Sequence, residues 1–256
     1  MEVEDMSKNL LVGIRIKKLR ESFNYTQEDL AKKLGLPRPS VSQIESGQRQ
    51  ITSSELTKLS QLFEISIDEL LNPYETEKKV KELKRKGKLP QFNREIFKQV
   101  LLYILEKCGA KPNVGKTVLY KLLYFCDFNY YELYEKPLTG AAYRKIPYGP
   151  APCEFEKIIE EMKKKKQLIE IQTEYYNQHQ IKYLPLVKPD LSKLNAQQKE
   201  VIDRVIETLS HLDAKTVSDY SHEDIPWKST KEKDIINYEL VFYRRQPYSV
   251  RAYPEE

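Results

Sequence analysis

The chain has 256 residues, 40% hydrophobic and 32% charged, which is enough for two globular domains, each with its own core. No apolar run approaches the roughly 20 residues of a membrane span, and the opening MEVEDMSKNL is too acidic for a secretory leader, so membrane insertion and export are not expected and a cytoplasmic location is. The formal net charge of +5 is mild for a DNA binder, and the three cysteines, Cys108, Cys126 and Cys153, lack CxxC spacing, which points to reduced thiols and away from a metal site.

In chain order, a first helix is predicted from about Asn9 to Phe23, with Leu10, Leu11, Ile14 and Leu19 as its apolar residues. Thr26 is placed to cap a second helix in which Leu30, Ala31 and Leu34 share one face. Gly35 stands where that helix must stop and turn. Pro37 to Ser46 restart as a third helix, with Val41 and Ile44 inward and Arg38, Ser40, Ser42 and Gln43 outward. Two short helices joined by a glycine turn, the second with a polar outer face, form a unit that lays side chains into the major groove of double-stranded DNA. Ser53 or Ser54 is expected to cap a fourth helix (SSELTKLSQLF) and Ser66 a fifth (SIDELL), with Asn72-Pro73 closing the unit.

The segment Lys78 to Lys88 (KKVKELKRKGK) is strongly basic. It reads as a solvated linker, and its functional alternative is phosphate contact beside the helix-turn-helix. The expected organisation is therefore a DNA-binding domain over 1–75, a basic linker over 76–92, and a second domain over 93–256.

The second half opens with amphipathic helices at Asn93 to Cys108 and Gly115 to Tyr134, the latter with Leu119, Leu122, Leu123, Cys126 and Tyr130 on one side. A strand-like run, Ala141 to Ile146, leads through a tight YGPAP to a helix from Glu154 to about Lys165. Ile169 to Tyr176 and Ile181 to Leu186, split by NQHQ, resemble a β-hairpin. Asn195 to Leu209 and Ala214 to Tyr220 are helical, and INYELVFY (236–243) is read as a strand. The fold class is mainly α: a five-helix unit followed by an α+β domain with a small β-sheet or hairpin.

Residues 11–71 resemble the Cro/repressor (XRE-type) helix-turn-helix family, through TQEDLA at 26–31, Gly35 and VSQIESG at 41–47. The resemblance implies that Gln27 contacts a phosphate, that Arg38, Pro39 and Gln43 face bases, and that Ser46, Gln48 and Arg49 touch the backbone. It also implies a structural ion pair between Arg20 and Glu45. Prolines at 37 and 39 depart from the family's usual polar residues. They are tolerated in a first helical turn, but Pro39 cannot hydrogen-bond a base. Arg38 toward guanine and Gln43 toward adenine become the best readers, with Ser40 and Ser42 beside them.

The second half resembles the Panacea (SocA-like) domain of toxin–antitoxin antitoxins, through GKTVLYKLLYFCDF (115–128), PLTGAAYRKIPYGPAP (137–152) and SHEDIPW (221–227). The resemblance implies a cognate toxin protein as partner, and an antitoxin that autoregulates its operon. The alternative is a transcriptional repressor whose C-terminal domain senses a ligand or protein. A homodimer is expected because operators for such units are palindromic.

Toxin-contact candidates are Tyr124, Asp127, Tyr131, Tyr134, Tyr148, His222 and Trp227. Exposed tyrosines supply contact area at low entropic cost, and the Pro147–Pro150 turn pre-organises Tyr148. The plainer readings are a buried aromatic helix, a rigid turn between strand and helix, and Trp227 packed on a hydrogen-bonded His222. No nucleophile is paired with His222, and His179 and His211 lie in unrelated contexts, so neither catalysis nor a cofactor or metal is expected. Gly109 and Gly115-Lys116-Thr117 imitate a phosphate-binding loop. Five residues (AKPNV) separate those glycines where that loop needs four, and Asn113 reads instead as a helix cap.

Overall fold

A computed structural model describes residues 2–23, 25–63, 65, 67–71, 73–176 and 178–252. The chain divides into two compact units, Met1–Thr76 and Glu77–Glu256.

The first unit is helical: α1 (Glu2–Ser22), α2 (Gln27–Leu34), α3 (Arg38–Glu45), α4 (Ser53–Leu62) and α5 (Ile67–Leu71). Leu30, Ala31, Leu34, Val41 and Ile44 are buried as their spacing requires, and Leu59, Phe63 and Leu70 close the core. The inward face of α1 differs from expectation. Val12 and Ile16 are buried, whereas Leu10, Leu11 and Ile14 are 45%, 58% and 40% exposed. The cause is the close approach of α1 to α3 at Gly13, where an added Cβ would lie 2.3 Å from the Ile44 carbonyl oxygen. That approach turns 12, 13, 16 and 20 inward at helical spacing. The cap of α4 is Thr52, not Ser53 or Ser54: its hydroxyl accepts from the Glu55 N–H, and the Glu55 carboxylate accepts from the Thr52 N–H. Ser66, the expected cap of α5, lies outside the described residues, as does Asn72.

The segment expected to be a linker is instead helical through α6 (Pro73–Arg85). Its apolar residues explain why. Val80 and Leu89 are buried in a cluster with Ala142, against which Leu83, Cys153 and Ile235 pack. Lys79 pairs with Asp234, and Lys84 with Glu154 at 2.9 Å.

The rest of the second unit comprises α7 (Arg94–Cys108), α8 (Lys116–Tyr134), β1 (Tyr143–Ile146), β2 (Gly149–Pro152), α9 (Phe155–Lys164), β3 (Leu168–Tyr175), β4 (Gln178–Pro185), α10 (Ala196–Leu209), α11 (Ala214–His222) and α12 (Ile225–Lys228). Short 3-10 turns occupy Leu191–Lys193 and Tyr238–Tyr243. Two antiparallel hairpins form, β1–β2 with Tyr143 opposite Pro152, and β3–β4 with Leu168 opposite Pro185. Helix α8 is buried almost all round, because α10, α11, β2 and the Tyr238–Tyr243 turn all pack on it.

Four local expectations are corrected. Pro147 and Tyr148 form the tip of a hairpin and do not connect a strand to a helix. INYELVFY forms no strand: Ile235, just before it, bridges Arg144, and the motif itself ends in the 3-10 turn, with Tyr238 stacked on Phe128 at 4.3 Å. The hairpin turn precedes most of NQHQ, since β4 resumes at Gln178. Asn113 donates its side-chain N–H to the carbonyls of Ser210 and Leu212, leaving Gly115 as the N-cap of α8.

Candidate functional site

The polar face of α3 is held out by its neighbours. The Thr26 hydroxyl accepts from the Asp29 N–H at 3.1 Å, and Asp29 accepts in return from the Thr26 N–H at 2.9 Å, a capping box that starts α2. Gly35 ends it at φ 71°, the left-handed region that favours glycine. Pro37 then caps α3 with no side-chain hydrogen bond, and Pro39 sits in the first turn. The buried Glu45 carboxylate accepts from Arg20 Nε at 2.5 Å and Nη2 at 3.1 Å, and from Gln27 Nε2 at 3.0 Å. The hydrogen bond to Glu45 raises the Arg20 pKa above its ordinary value, against the opposing effect of burial.

Outward, Arg38, Pro39, Ser42, Gln43, Ser46 and Gln48 are exposed and Ser40 is half-buried. Among the described residues, the side chains of Arg38, Ser42 and Gln43 have no intramolecular hydrogen-bond partner. Two family positions are already engaged. Gln27 donates to Glu45, and Arg49 is bidentate on Glu55 at 2.8 and 3.2 Å.

The second-unit candidates divide sharply. Tyr124 and Asp127 are fully buried and cannot touch a partner's surface, which corrects both assignments. The reason is the central position of α8. The Tyr124 hydroxyl donates to Asp224 at 2.8 Å. Asp127 accepts from the Thr139 N–H at 2.7 Å, the Thr139 hydroxyl at 2.6 Å and the Tyr143 hydroxyl at 2.8 Å. Desolvation pushes the Asp127 carboxyl up to about 6, and those donors restrain the rise. Asp224 also receives Arg244 Nε at 2.8 Å and Nη2 at 2.5 Å, while Arg244 Nη1 reaches Asn129 at 2.9 Å and Glu132 at 3.0 Å. Nothing in the local sequence singles out Glu132 or Arg244. Only the second acid of SHEDIPW carried a signal.

Tyr131, Tyr134, Tyr148, His222 and Trp227 are half-buried. Tyr131 donates to Glu239, and the Tyr134 ring lies 4.7 Å from Tyr130. His222 and Trp227 stack at 4.2 Å with planes 19° apart, and Lys145 Nζ stands 3.9 Å over the Trp227 ring. His222 is not the hydrogen-bonded partner expected: its Nε2 and the Trp227 Nε1 are buried without a hydrogen-bond partner among the described residues. Burial, then the nearby Lys121 charge, lowers the His222 pKa. The three second-half motifs converge at Gly149 (φ 97°), where an added Cβ would lie 2.4 Å from Ser221 Oγ and 2.6 Å from Lys121 Cε. Among the described residues, no group of three or more His, Cys, Asp or Glu is placed to hold a metal ion, and no helix is long and apolar enough to cross a membrane.

A capped two-helix unit with an unpartnered polar face defines a helix-turn-helix DNA-binding regulator, here carrying a second unit around a buried ionic cluster. The chain belongs to the helix-turn-helix family through residues 16–70, and residues 119–228 match the family described as antitoxin SocA-like, Panacea domain. It is similar to the cryptic phage CTXphi transcriptional repressor RstR of Vibrio cholerae serotype O1, 30% identical over 90 residues that make 35% of this chain and 80% of that one. The HTH-type transcriptional regulator ImmR of Bacillus subtilis is 37% identical over 68 residues, 27% of this chain and about half (54%) of that one. Among solved structures, the restriction-modification controller protein C.AhdI from Aeromonas hydrophila is 33% identical with a TM-score of 0.24, covering 25% of this chain and 97% of that one.

Proposed function

We propose that the protein is an antitoxin that neutralises a cognate toxin through its second unit and represses its own operon through its first. The observation that carries this reading is the joining, in one chain, of an antitoxin SocA-like, Panacea match over 119–228 to a helix-turn-helix over 16–70. Neutralisation needs no catalysis: a stoichiometric complex that covers the toxin's working surface suffices. Tyr131, Tyr134, Tyr148, His222 and Trp227 are the candidate contacts that remain accessible. In the first unit, Arg38 and Gln43 read bases, Pro39 makes van der Waals contact, and Ser40, Ser42, Ser46 and Gln48 flank them. A cytoplasmic homodimer on a palindromic operator completes the proposal.

Co-expression with the neighbouring open reading frame tests it. The neighbour should arrest growth alone, and the full chain should restore growth while forming a stoichiometric complex. A harmless neighbour defeats the antitoxin reading. The second reading, a repressor whose second unit senses a ligand, is favoured by the repressor names of the relatives and by a polar cleft between Asn93, Thr139, Lys193 and Gln198.

A further inference from the structure

We infer that α6 and its C-terminal turn carry a second nucleic-acid contact: Lys78, Lys81, Arg85 and Lys88 bind the phosphate backbone of duplex DNA beside the sequence read by α3. The inference rests on the DNA-binding reading of the first unit and extends it to residues outside the helix-turn-helix.

The segment 78–88 holds seven cations and one acid, Glu82. The structure sorts them. Lys79 pairs with Asp234, and Lys84 pairs with Glu154 while standing 5.2 Å over the Phe92 ring. Both belong to the face that packs through Val80 and Leu83. Lys86 is engaged by Glu82, its i−4 neighbour. The remaining cations, at 78, 81, 85 and 88, are exposed, and their side chains make no hydrogen bond or ion pair among the described residues. The intervals of three and four put Lys78, Lys81 and Arg85 on one side of α6, and Lys88 follows in the turn that Gly87 makes at φ 66° beyond the helix end.

A merely solvated helix face carries interspersed charges of both signs, and here the one acid is already paired. Favourable placement at a helix C-terminus accounts for Arg85 and Lys88. It does not account for Lys78 and Lys81, which precede the last turn of α6. A membrane surface fits poorly, because interfacial helices need a free apolar face and that of α6 is packed against Ala142, Cys153 and Ile235. A duplex fits well. Lys78 follows Leu71, the end of α5, by seven positions, so DNA held by the first unit presents phosphates at high effective concentration.

The test compares the full chain with its Lys78→Gln/Lys81→Gln/Arg85→Gln/Lys88→Gln variant in anisotropy titrations of operator and scrambled duplexes, from about 50 to 200 mM salt. Four lost phosphate contacts should flatten the slope of log affinity against log salt by about 3 to 4, so the variant's affinity loss across that range is smaller by about one hundredfold. The ratio of operator to scrambled affinity should stay unchanged, since phosphates carry no sequence. A slope within about 0.5 of the parent's overturns the proposal, and so does a collapse of that ratio. Arg38→Ala supplies the independent arm: it should lower the ratio and leave the slope nearly intact. If Arg38→Ala changes nothing, the assignment within the first unit fails, whatever α6 does.

Discussion

Glu45, at the end of α3, receives the Arg20 guanidinium of α1 through both of its oxygens, at 2.5 and 3.1 Å. Because Gln27 of α2 donates to the same carboxylate, one side chain ties three helices. Replacing Glu45 by Ala leaves the buried Arg20 with only a longer contact to the exposed Glu21, at 3.4 Å, and should destabilise the first unit by about 3–5 kcal/mol. Hydrogen exchange of the α2 and α3 amides reads this directly. Protection reduced by less than about 1 kcal/mol would mean that the pair does not hold the unit together.

Arg38, at the start of α3, is exposed and without a hydrogen-bond partner among the described residues. Its replacement by Ala should cost about 1–3 kcal/mol at the operator and relax the preference at one base pair. Gel-shift titration against single-base operator variants is the check. The fold should not suffer, since the side chain is exposed and makes no hydrogen bond among the described residues.

Asp127 makes a pH prediction. Its folded pKa of about 6 lies above the unfolded value of roughly 3.9, so the folded state favours the protonated acid. The stability linked to that proton is fully present below the unfolded pKa and disappears as pH rises through about 6. Relative to Asp127→Asn, the parent should lose on the order of 3 kcal/mol between pH 3.5 and pH 7. Chemical denaturation of both proteins across that range isolates the group from other titrations. A flat difference would show that the Thr139 and Tyr143 hydrogen bonds fully offset the burial.

Gly149 should tolerate no side chain. A methyl group there meets Ser221 and Lys121 at a backbone angle that L residues rarely adopt. Gly149→Ala should destabilise the second unit by about 2–4 kcal/mol through overpacking and strain. Chemical denaturation of the variant is the check, and an unchanged midpoint would mean that Ser221 and Lys121 give way at no cost.

How much of this was legible depended on sequence distance. The Thr26 cap and the Gly35 stop act within four residues, and both were readable from spacing alone. The face of α1 was not, because its apolar residues permit two faces and the choice was made by Gly13 meeting α3. INYELVFY looked like a strand, but Tyr238 stacks on Phe128 and donates to the Ala141 carbonyl, and those distant partners override local propensity. The same holds for function. The outward residues of α3 follow from helical periodicity. Tyr124 and Asp127 are buried against expectation because a helix wrapped on all sides can share the composition of one with a wet face. Arg244 meets Glu132 across 112 positions, and no local pattern announces such a pair.

That late arginine has a consequence for the order in which the protein is made. Chains emerge from the ribosome N-terminus first and fold domain by domain. The DNA-reading unit is complete by Thr76, whereas Asp224 and Glu132 must wait for Arg244 to be synthesised before their buried charges are neutralised. A stalled or clipped chain lacking the last dozen or so residues keeps its reading head and loses the keystone of its second unit. Translation errors and proteolysis would then leave a DNA-binding unit without a folded second unit, so the integrity of the C-terminal segment sets how much of the chain carries both.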